Sequence, residues 1–436
     1  LDRDDIIRFV EDNDVKFIRM QFTDITGAMK NIALNDSQLE EAFGGVVFDG
    51  FSVDGFGRMG ESDMLLVPDC DTLCIIPWRP QQGKVARFIS DVYLGGKPFE
   101  GDPRHILKET AAKAAKLGYT LNVQPECEFF LFHTDDDGQP TTKTHDTAGY
   151  FDLAPIDLGE NARREMCLSL ENMGFVVISS HHEAAGGQHE IDFKYDDALR
   201  TADNIETFKM VVKIIAQKHG LHATFMPKPL MDSAGNGMHL NLSLLKKGKD
   251  VFADPSDSRG LSKEAYWFIG GILKHIRAMS AVLDPLVNSY KRLAPGNEAP
   301  SWITWSRRGR SPLVRIPSPM GGAQYIELLS PDPTCNPYLA LSLVLSAGLE
   351  GIKEKTEPPE EYTGGLLTPQ EAEKLGIETL PEDLGEALEC CEKDPFIGRV
   401  LGQYAFSSYI KVKRSEWESY SREVHKWELD RYLSAY

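Results

Sequence analysis

The chain has 436 residues, enough for a large core and for two domains. Its 47 basic and 66 acidic residues leave a net charge of −19, which argues against nucleic acid or an anionic membrane as partner. Seven cysteines without zinc-finger or redox spacing, no secretory leader pattern and no apolar run long enough to span a bilayer point to a reduced, cytoplasmic chain.

Residues 1 to about 100 read as a small α+β unit. Val15 to Phe22 alternates with period two, as a half-buried strand does. Ser37 to Phe43 fits a short helix. Val46 to Ser52 reads as a buried strand ending on Asp49 and Gly50, where the acid either shapes a turn or serves a site. Thr72 to Ile76 and Ala86 to Val92 are further strands. A loop rich in Gly and Pro, from Gly95 to Pro103, divides this unit (1–100) from a larger α/β domain (101–436). Asp102-Pro103 opens a helix that Gly118 ends. More helices are expected near Glu160–Met173, Asn204–His219, Ser262–Val282 and Pro337–Lys353, with strands between them. Pro358 to Pro369 reads as a surface excursion. The C-terminal stripe of Trp417, Tyr420, Val424, Trp427 and Tyr432 reads as a packing helix.

Four segments carry chemistry. In Gln124-Pro125-Glu126-Cys127-Glu128-Phe129, the two acids lie two apart on a strand and share a face. Carboxylates on a strand that enters a core need a positive partner, and a divalent cation supplies one. The plainer alternative is an edge strand facing water. The run from Val176 to Phe193 fits a hairpin around Gly186-Gly187, with Glu183 and Glu190 converging from opposite arms. In Gly235-Asn236-Gly237-Met238-His239-Leu240-Asn241-Leu242-Ser243, His239, Asn241 and Ser243 share the polar face, and His239 is a candidate metal ligand. Gln324 to Leu329 is a strand with one buried-looking acid, Glu327. A basic run precedes it (Lys291, Arg292, Arg307, Arg308, Arg310, Arg315), suited either to water or to phosphate and carboxylate oxygens. Acids for a metal beside arginines for anions are the pairing that phosphoryl transfer uses. No Walker-type loop is present.

Taken together, Pro-Glu-x-Glu-Phe-Phe-Leu-Phe, His-His-Glu…Gly-Gln-His-Glu-Ile-Asp-Phe, Gly-Met-His-x-Asn-Leu-Ser, Asn-Ser-Tyr-Lys-Arg-Leu…Pro-Gly-x-Glu-Ala-Pro and Asp-Pro-x-x-Asn-Pro-Tyr-Leu resemble type I glutamine synthetase over nearly the whole chain. The resemblance implies an α+β fold: a small N-terminal β-grasp domain and a larger catalytic α/β domain with a curved antiparallel sheet. It implies ATP-dependent synthesis of glutamine from glutamate and ammonia through γ-glutamyl phosphate. It also implies Mg2+ or Mn2+, two or three per site, and a homo-dodecamer of two hexameric rings with active sites between subunits. Glu126, His239 and Glu327 match ligands of the metal near ATP; Glu128, Glu183 and Glu190 match those of the metal near glutamate. Asn241 and Ser243 fall on the nucleotide side, and Arg310 and Arg315 match arginines on ATP and the transferred phosphate. Gly235 and Arg292 match glutamate-binding positions. Glu298 matches the flap acid that shields the acyl phosphate, and Asp49 the acid that binds and deprotonates ammonium across the subunit boundary. Arg58 matches a feedback-inhibition arginine of the Gram-positive-like branch.

The departures cluster in the same pocket. Tyr325 and Leu329 stand where the family has arginines, Ala234 where it has asparagine, Asn297 where it has tyrosine and Phe51 where it has serine. They leave open a related ligase acting on another acid or a bulkier amine, and a non-catalytic regulatory paralogue. Restoring the missing charge tests the pocket. Leu329→Arg is expected to lower the KM for glutamate about tenfold, the worth of one charged hydrogen bond to a buried anion. Steady-state kinetics showing an unchanged or higher KM would count against this reading.

Overall fold

A computed structural model of the protein describes residues 1–57, 63–294, 301–307, 312–318 and 324–436. The first of its two sheets contains β1 (Val15–Thr23), β2 (Met29–Asn35), β3 (Val46–Asp49), β4 (Asp63–Pro68), β5 (Cys74–Ile75), β6 (Lys84–Leu94) and β7 (Lys97–Pro98). Their order is β2-β1-β6-β4-β3, with β5 and β7 also paired to β6. β1 and β6 run parallel; the other pairs are antiparallel. The alternation of β1 sends Ile18, Met20 and Phe22 into a core with Leu66, Phe88 and Val92. The helix Arg3–Asp12 adds Ile6 and Val10 to that core. Its Ile6, Ile7, Phe9 and Val10 recur at helical spacing opposite a charged face, and it begins on a clear cap, Asp2 accepting the Asp5 N–H at 2.8 Å.

The second sheet contains β8 (Tyr119–Thr134), β9 (Pro140–Thr144), β10 (Val177–His182), β11 (Gln188–Phe193), β12 (Asp196–Asp197), β13 (Leu221–Thr224), β14 (Met238–Lys246), β15 (Lys249–Asp250), β16 (Trp302–Ser306), β17 (Pro312–Arg315) and β18 (Ile326–Leu328). Its main path is β10-β11-β8-β14-β18-β17-β16, antiparallel except between β16 and β17, and the sheet curls. Helices Pro103–Lys116, Glu160–Asn172, Ala198–Lys218, Lys263–Leu283 and Pro337–Glu354 contribute to the larger apolar core behind it. The first begins as the sequence requires: Asp102 accepts the Arg104 N–H, Pro103 occupies the first turn and Gly118 follows at φ +84°. Ala198–Lys218 starts six residues before the expected Asn204, because Asp197 caps it by accepting the Leu199 and Arg200 N–H groups. Lys263–Leu283 and Pro337–Glu354 cross backbone to backbone, since a Cβ on Gly271 would lie 2.8 Å from the Gly351 Cα. Among the described residues no helix is long and apolar enough to cross a membrane.

One buried arginine ties the two sheets together. Arg104 donates from Nε and Nη2 to Asp203 at 2.9 and 2.8 Å, from Nη1 to Asp91 at 2.6 Å and from Nη2 to Asp69 at 2.9 Å. Asp91 belongs to β6 and Asp69 follows β4, while Asp203 lies on the helix Ala198–Lys218 behind the second sheet. Removing the cation leaves the buried Asp203 with only the Tyr338 hydroxyl, and Asp69 and Asp91 sharing Lys108. Arg104→Met is expected to destabilise the fold by about 3–5 kcal/mol, read as a lower midpoint in chemical denaturation. A midpoint within error of the parent would refute the assignment.

Candidate active site

β8 supplies the first pair of acids. Phe129 to Phe132 anchor it in the core, and the alternation places Glu126 and Glu128 on one face with Cys127 buried behind. Register does the rest. Glu128 lies opposite Glu190 of β11; Glu126 lies opposite Asp192 of β11 and His239 of β14. Asn241, the next residue on that face of β14, is opposite Glu327 of β18, which is opposite Arg315 of β17. Five adjacent strands thus direct polar or charged groups to one surface.

Two close groups form there. The donor atoms of Glu126, His239 and Glu327 all lie within 4.8 Å of one another, with His239 Nδ1 at 3.4 Å from Glu126 and 3.8 Å from Glu327. Asn241 Nδ2 donates to Glu126 Oε1 at 2.8 Å. Arg315 holds Glu327 bidentately, through Nε and through Nη2 at 2.9 Å. The second group is Glu183, Glu190 and His181, with His181 at 3.3 Å from Glu183 and 3.5 Å from Glu190. Glu128 sits across from Glu190, but its Oε2 accepts the Gly237 N–H at 2.7 Å and Gln188 Nε2 at 3.1 Å. Of the residues expected as ligands, Glu126, His239 and Glu327 lie together and Glu183 lies with Glu190, while His181 occupies the close group in which Glu128 was expected. Its position two residues before Glu183 was the signal for it. Beside His181, Tyr150 and Phe151 stack at 4.1 Å with their rings largely exposed, and the His181 ring meets Phe151 edge-on at 4.8 Å.

Other expected residues lie around this surface. Gly235 passes the Pro227 carbonyl so closely that a Cβ would come within 2.3 Å of its oxygen, and the Gly235 carbonyl accepts Gln188 Nε2. Arg292 is buried beneath the same loop, with its fork on the Ser330 and Leu329 carbonyls at 2.6 and 3.0 Å. Ser243 is buried opposite Asn122. Tyr325 and Leu329 are both nearly buried, and Ala234 packs on the Phe130–Phe132 cluster. Asp49 ends β3, an edge strand of the other sheet, where it accepts the Phe51 N–H and the Ser52 hydroxyl; Phe51 is exposed. Arg58, Asn297, Glu298 and Arg310 lie outside the described residues.

Family models match the chain twice: "Glutamine synthetase, beta-Grasp domain" over residues 14–95 and "Glutamine synthetase, catalytic domain" over residues 100–432. The chain is 56% identical to a glutamine synthetase of Clostridium saccharobutylicum, over 100% of this chain and 99% of that one. The chain belongs to the glutamine synthetase family. It is also 52% identical to a glutamine synthetase of Methanosarcina mazei (99% and 98% covered) and 51% to one of Staphylococcus aureus (100% and 98% covered). Among solved structures it resembles GmaS in complex with ADP (TM-score 0.89, 32% identical, 98% and 99% covered). A cryoEM structure of Plasmodium falciparum glutamine synthetase is similar (TM-score 0.88, 26% identical, 99% of each covered). The β-grasp first unit and the α+β class expected of a glutamine synthetase are both present.

Crowding sets the electrostatics of this site. Burial, then Asp192, Glu128 and Glu126, push Glu190 up to about 12. Burial raises Glu128 and Glu327 too, the latter despite His239 and Arg315. At Glu126 burial works upward, but hydrogen bonds from His239 and Asn241 bring the net shift below the ordinary range. Glu190 keeps a proton at pH values where the unfolded chain has lost it, so its contribution to stability falls as pH rises from about 4.5 toward 12. A cation seated between Glu183 and Glu190 would displace that proton. We expect Mn2+ binding near pH 7.5 to release about one proton per subunit through this residue, with affinity rising roughly tenfold per pH unit. Calorimetry in buffers of different ionisation enthalpy reads the release; a release that survives Glu190→Gln would contradict the assignment.

Proposed function

We propose that the chain works as a glutamine synthetase. It joins ammonia to the side-chain carboxylate of glutamate, with ATP cleaved to ADP and phosphate and γ-glutamyl phosphate as the intermediate. The observation that carries this reading is the face of the second sheet, where two carboxylate–imidazole groups stand beside an arginine. Identity of 51–56% over full length to glutamine synthetases favours glutamine over any other amide product.

Each group fits a divalent cation, because one buried and one half-buried carboxylate lie with a single imidazole at ligand spacing. Mg2+ or Mn2+, two or three per site, supplies charge neutralisation for the phosphoryl oxygens when bound. Glu126, His239 and Glu327 hold the cation on the ATP side, and Asn241 orients Glu126. Glu183 and Glu190, with His181 beside them, hold the cation on the glutamate side, where the family resemblance also puts Glu128. Arg315, already at Glu327, and Arg310 bind the ATP phosphates and the transferred group. Ser243 lies on the nucleotide side; Gly235 and Arg292 border the glutamate pocket. Glu298 covers the acyl phosphate and accepts a proton from the attacking amine. Asp49, from a neighbouring subunit, binds ammonium and removes the proton that blocks its lone pair. Arg58 serves feedback inhibition.

The division into residues 1–100 and 101–436 places Asp49 in the smaller domain. Its place on an edge strand of the other sheet supports donation between subunits. The exposed apolar side chains of Tyr150, Phe151, Leu153 and Ile156 beside the second group support coverage by a neighbour. The assembly is a cytoplasmic homo-dodecamer of two hexameric rings.

The test uses the full chain with ATP and Mg2+. Phosphate release is expected to need both glutamate and ammonium and to match glutamine formed, and Glu327→Gln is expected to lower turnover by roughly 100-fold or more. Turnover only with another acid or with an alkylamine would overturn this reading in favour of a related ligase. ATP binding without turnover on any pair would favour a non-catalytic paralogue.

A further inference from the structure

Behind the Glu183–Glu190 hairpin lies a second polar set on its opposite face. His182 of β10 pairs with His189 of β11, and both are fully buried. His182 Nε2 lies 2.9 Å from Asp146 Oδ1 and Nδ1 lies 2.7 Å from the Glu183 carbonyl oxygen. Both partners only accept, so both ring nitrogens donate. Asp146 Oδ1 also accepts the Gly187 N–H at 2.8 Å, and Oδ2 the Leu158 N–H at 3.1 Å. Asp146 thereby holds both ends of the hairpin tip: Gly187 directly, and the Glu183 peptide through His182.

His189 is fixed from the other side. Arg163 Nη1 donates to His189 Nδ1 at 3.0 Å and to Asp157 Oδ2 at 2.7 Å. Asp157 Oδ1 accepts the Gly159 N–H at 3.0 Å. The His189 ring presses on Gly159, where a Cβ would fall 2.5 Å from Nε2. The donor atoms of Asp146, Asp157, His182 and His189 approach within 4.8 Å, which on spacing alone suits a metal. The set already contains its own cation: Arg163 bridges Asp157 and His189, and an ion would have to displace it.

We propose that Asp146, Asp157, Arg163, His182 and His189 form a positioning layer for the metal-facing hairpin, with His182 the residue that sets the Glu183 peptide. The inference rests on the reading of Glu183 and Glu190 as cation ligands. It assigns to these residues the part that outer hydrogen bonds play at metal sites, orienting ligands they do not replace.

Mn2+ titration of the full chain, followed by electron paramagnetic resonance and calorimetry, tests it. Glu327→Gln identifies the class of bound Mn2+ that belongs to Glu126, His239 and Glu327. His182→Gln keeps a donor near the Nε2 position but loses the one to the Glu183 carbonyl; His182→Asn keeps the latter. With His182→Gln, affinity of the other Mn2+ class should fall about 10- to 100-fold while the first stays within about twofold. Hydrogen exchange across residues 183–190 should quicken without metal. His182→Asn should restore most of both. If His182→Gln does not fold, Gly159→Ala, which pushes on the His189 ring, should give the same selective loss. Equal loss in both classes, loss in neither, or identical behaviour of the Gln and Asn variants would overturn the proposal. Wild-type chain that binds no Mn2+ would overturn it together with the functional reading.

Discussion

The second sheet is governed by like charges forced onto one surface. Glu126, Glu128, Glu190, Asp192 and Glu327 come from three strands, β8, β11 and β18, and cross-strand pairing sets Glu128 against Glu190 and Glu126 against Asp192. Such pairs oppose sheet formation unless protons, cations or hydrogen bonds intervene. The protein uses several of these means together. Arg315 grips Glu327, His239 stands between Glu126 and Glu327, Asn241 and Gly237 donate to single oxygens, and Glu190 retains its proton. The surface is built at the expense of local stability, as sites that bind small cations and polyanions commonly are.

That unfavourable face is held in register by what lies behind and beside it. Phenylalanines of β8 lock the acids into alternation. The layer of Asp146, Arg163, His182 and His189 braces the hairpin from the rear. Arg104 and its three aspartates fasten the first sheet to the helices behind the second. Asn336 adds another tie, donating to the Asp24 carbonyl at 3.0 Å. Each of these groups limits how far the acids can relax from one another.

What the sequence revealed, and what it hid, follows from the range of the interactions. The shared face of Glu126 and Glu128, the polar stripe of His239, Asn241 and Ser243, and the capped start at Asp102 depend on neighbours within a few residues, and all are legible. The start at Ala198 was missed because Asp197 follows Lys194-Tyr195-Asp196, a polar run with another acid that masks the cap. His181 was passed over because its spacing to Glu183 is a slight local signal and its pairing with Glu190 depends on the opposite arm. The burial of Arg292 against the Leu329 and Ser330 carbonyls, and the gathering of Asp69, Asp91 and Asp203 on Arg104, join segments far apart in the chain. No local pattern encodes them. The motif resemblance reached the metal-facing residues by another route, through the combined specificity of several short segments.

The central place of β8 also has a consequence in time. This strand pairs with β9, β11, β12, β13 and β14. Asn241, which neutralises one oxygen of Glu126, lies 115 residues later in the chain. At ordinary translation rates of about 5–20 residues per second, Glu126 is synthesised roughly 6–23 seconds before that partner. A strand that is both apolar and acidic must wait through that interval with its edges open. The same acids that complicate the finished sheet act meanwhile as charged gatekeepers beside Phe129–Phe132, discouraging that segment from pairing with other nascent chains.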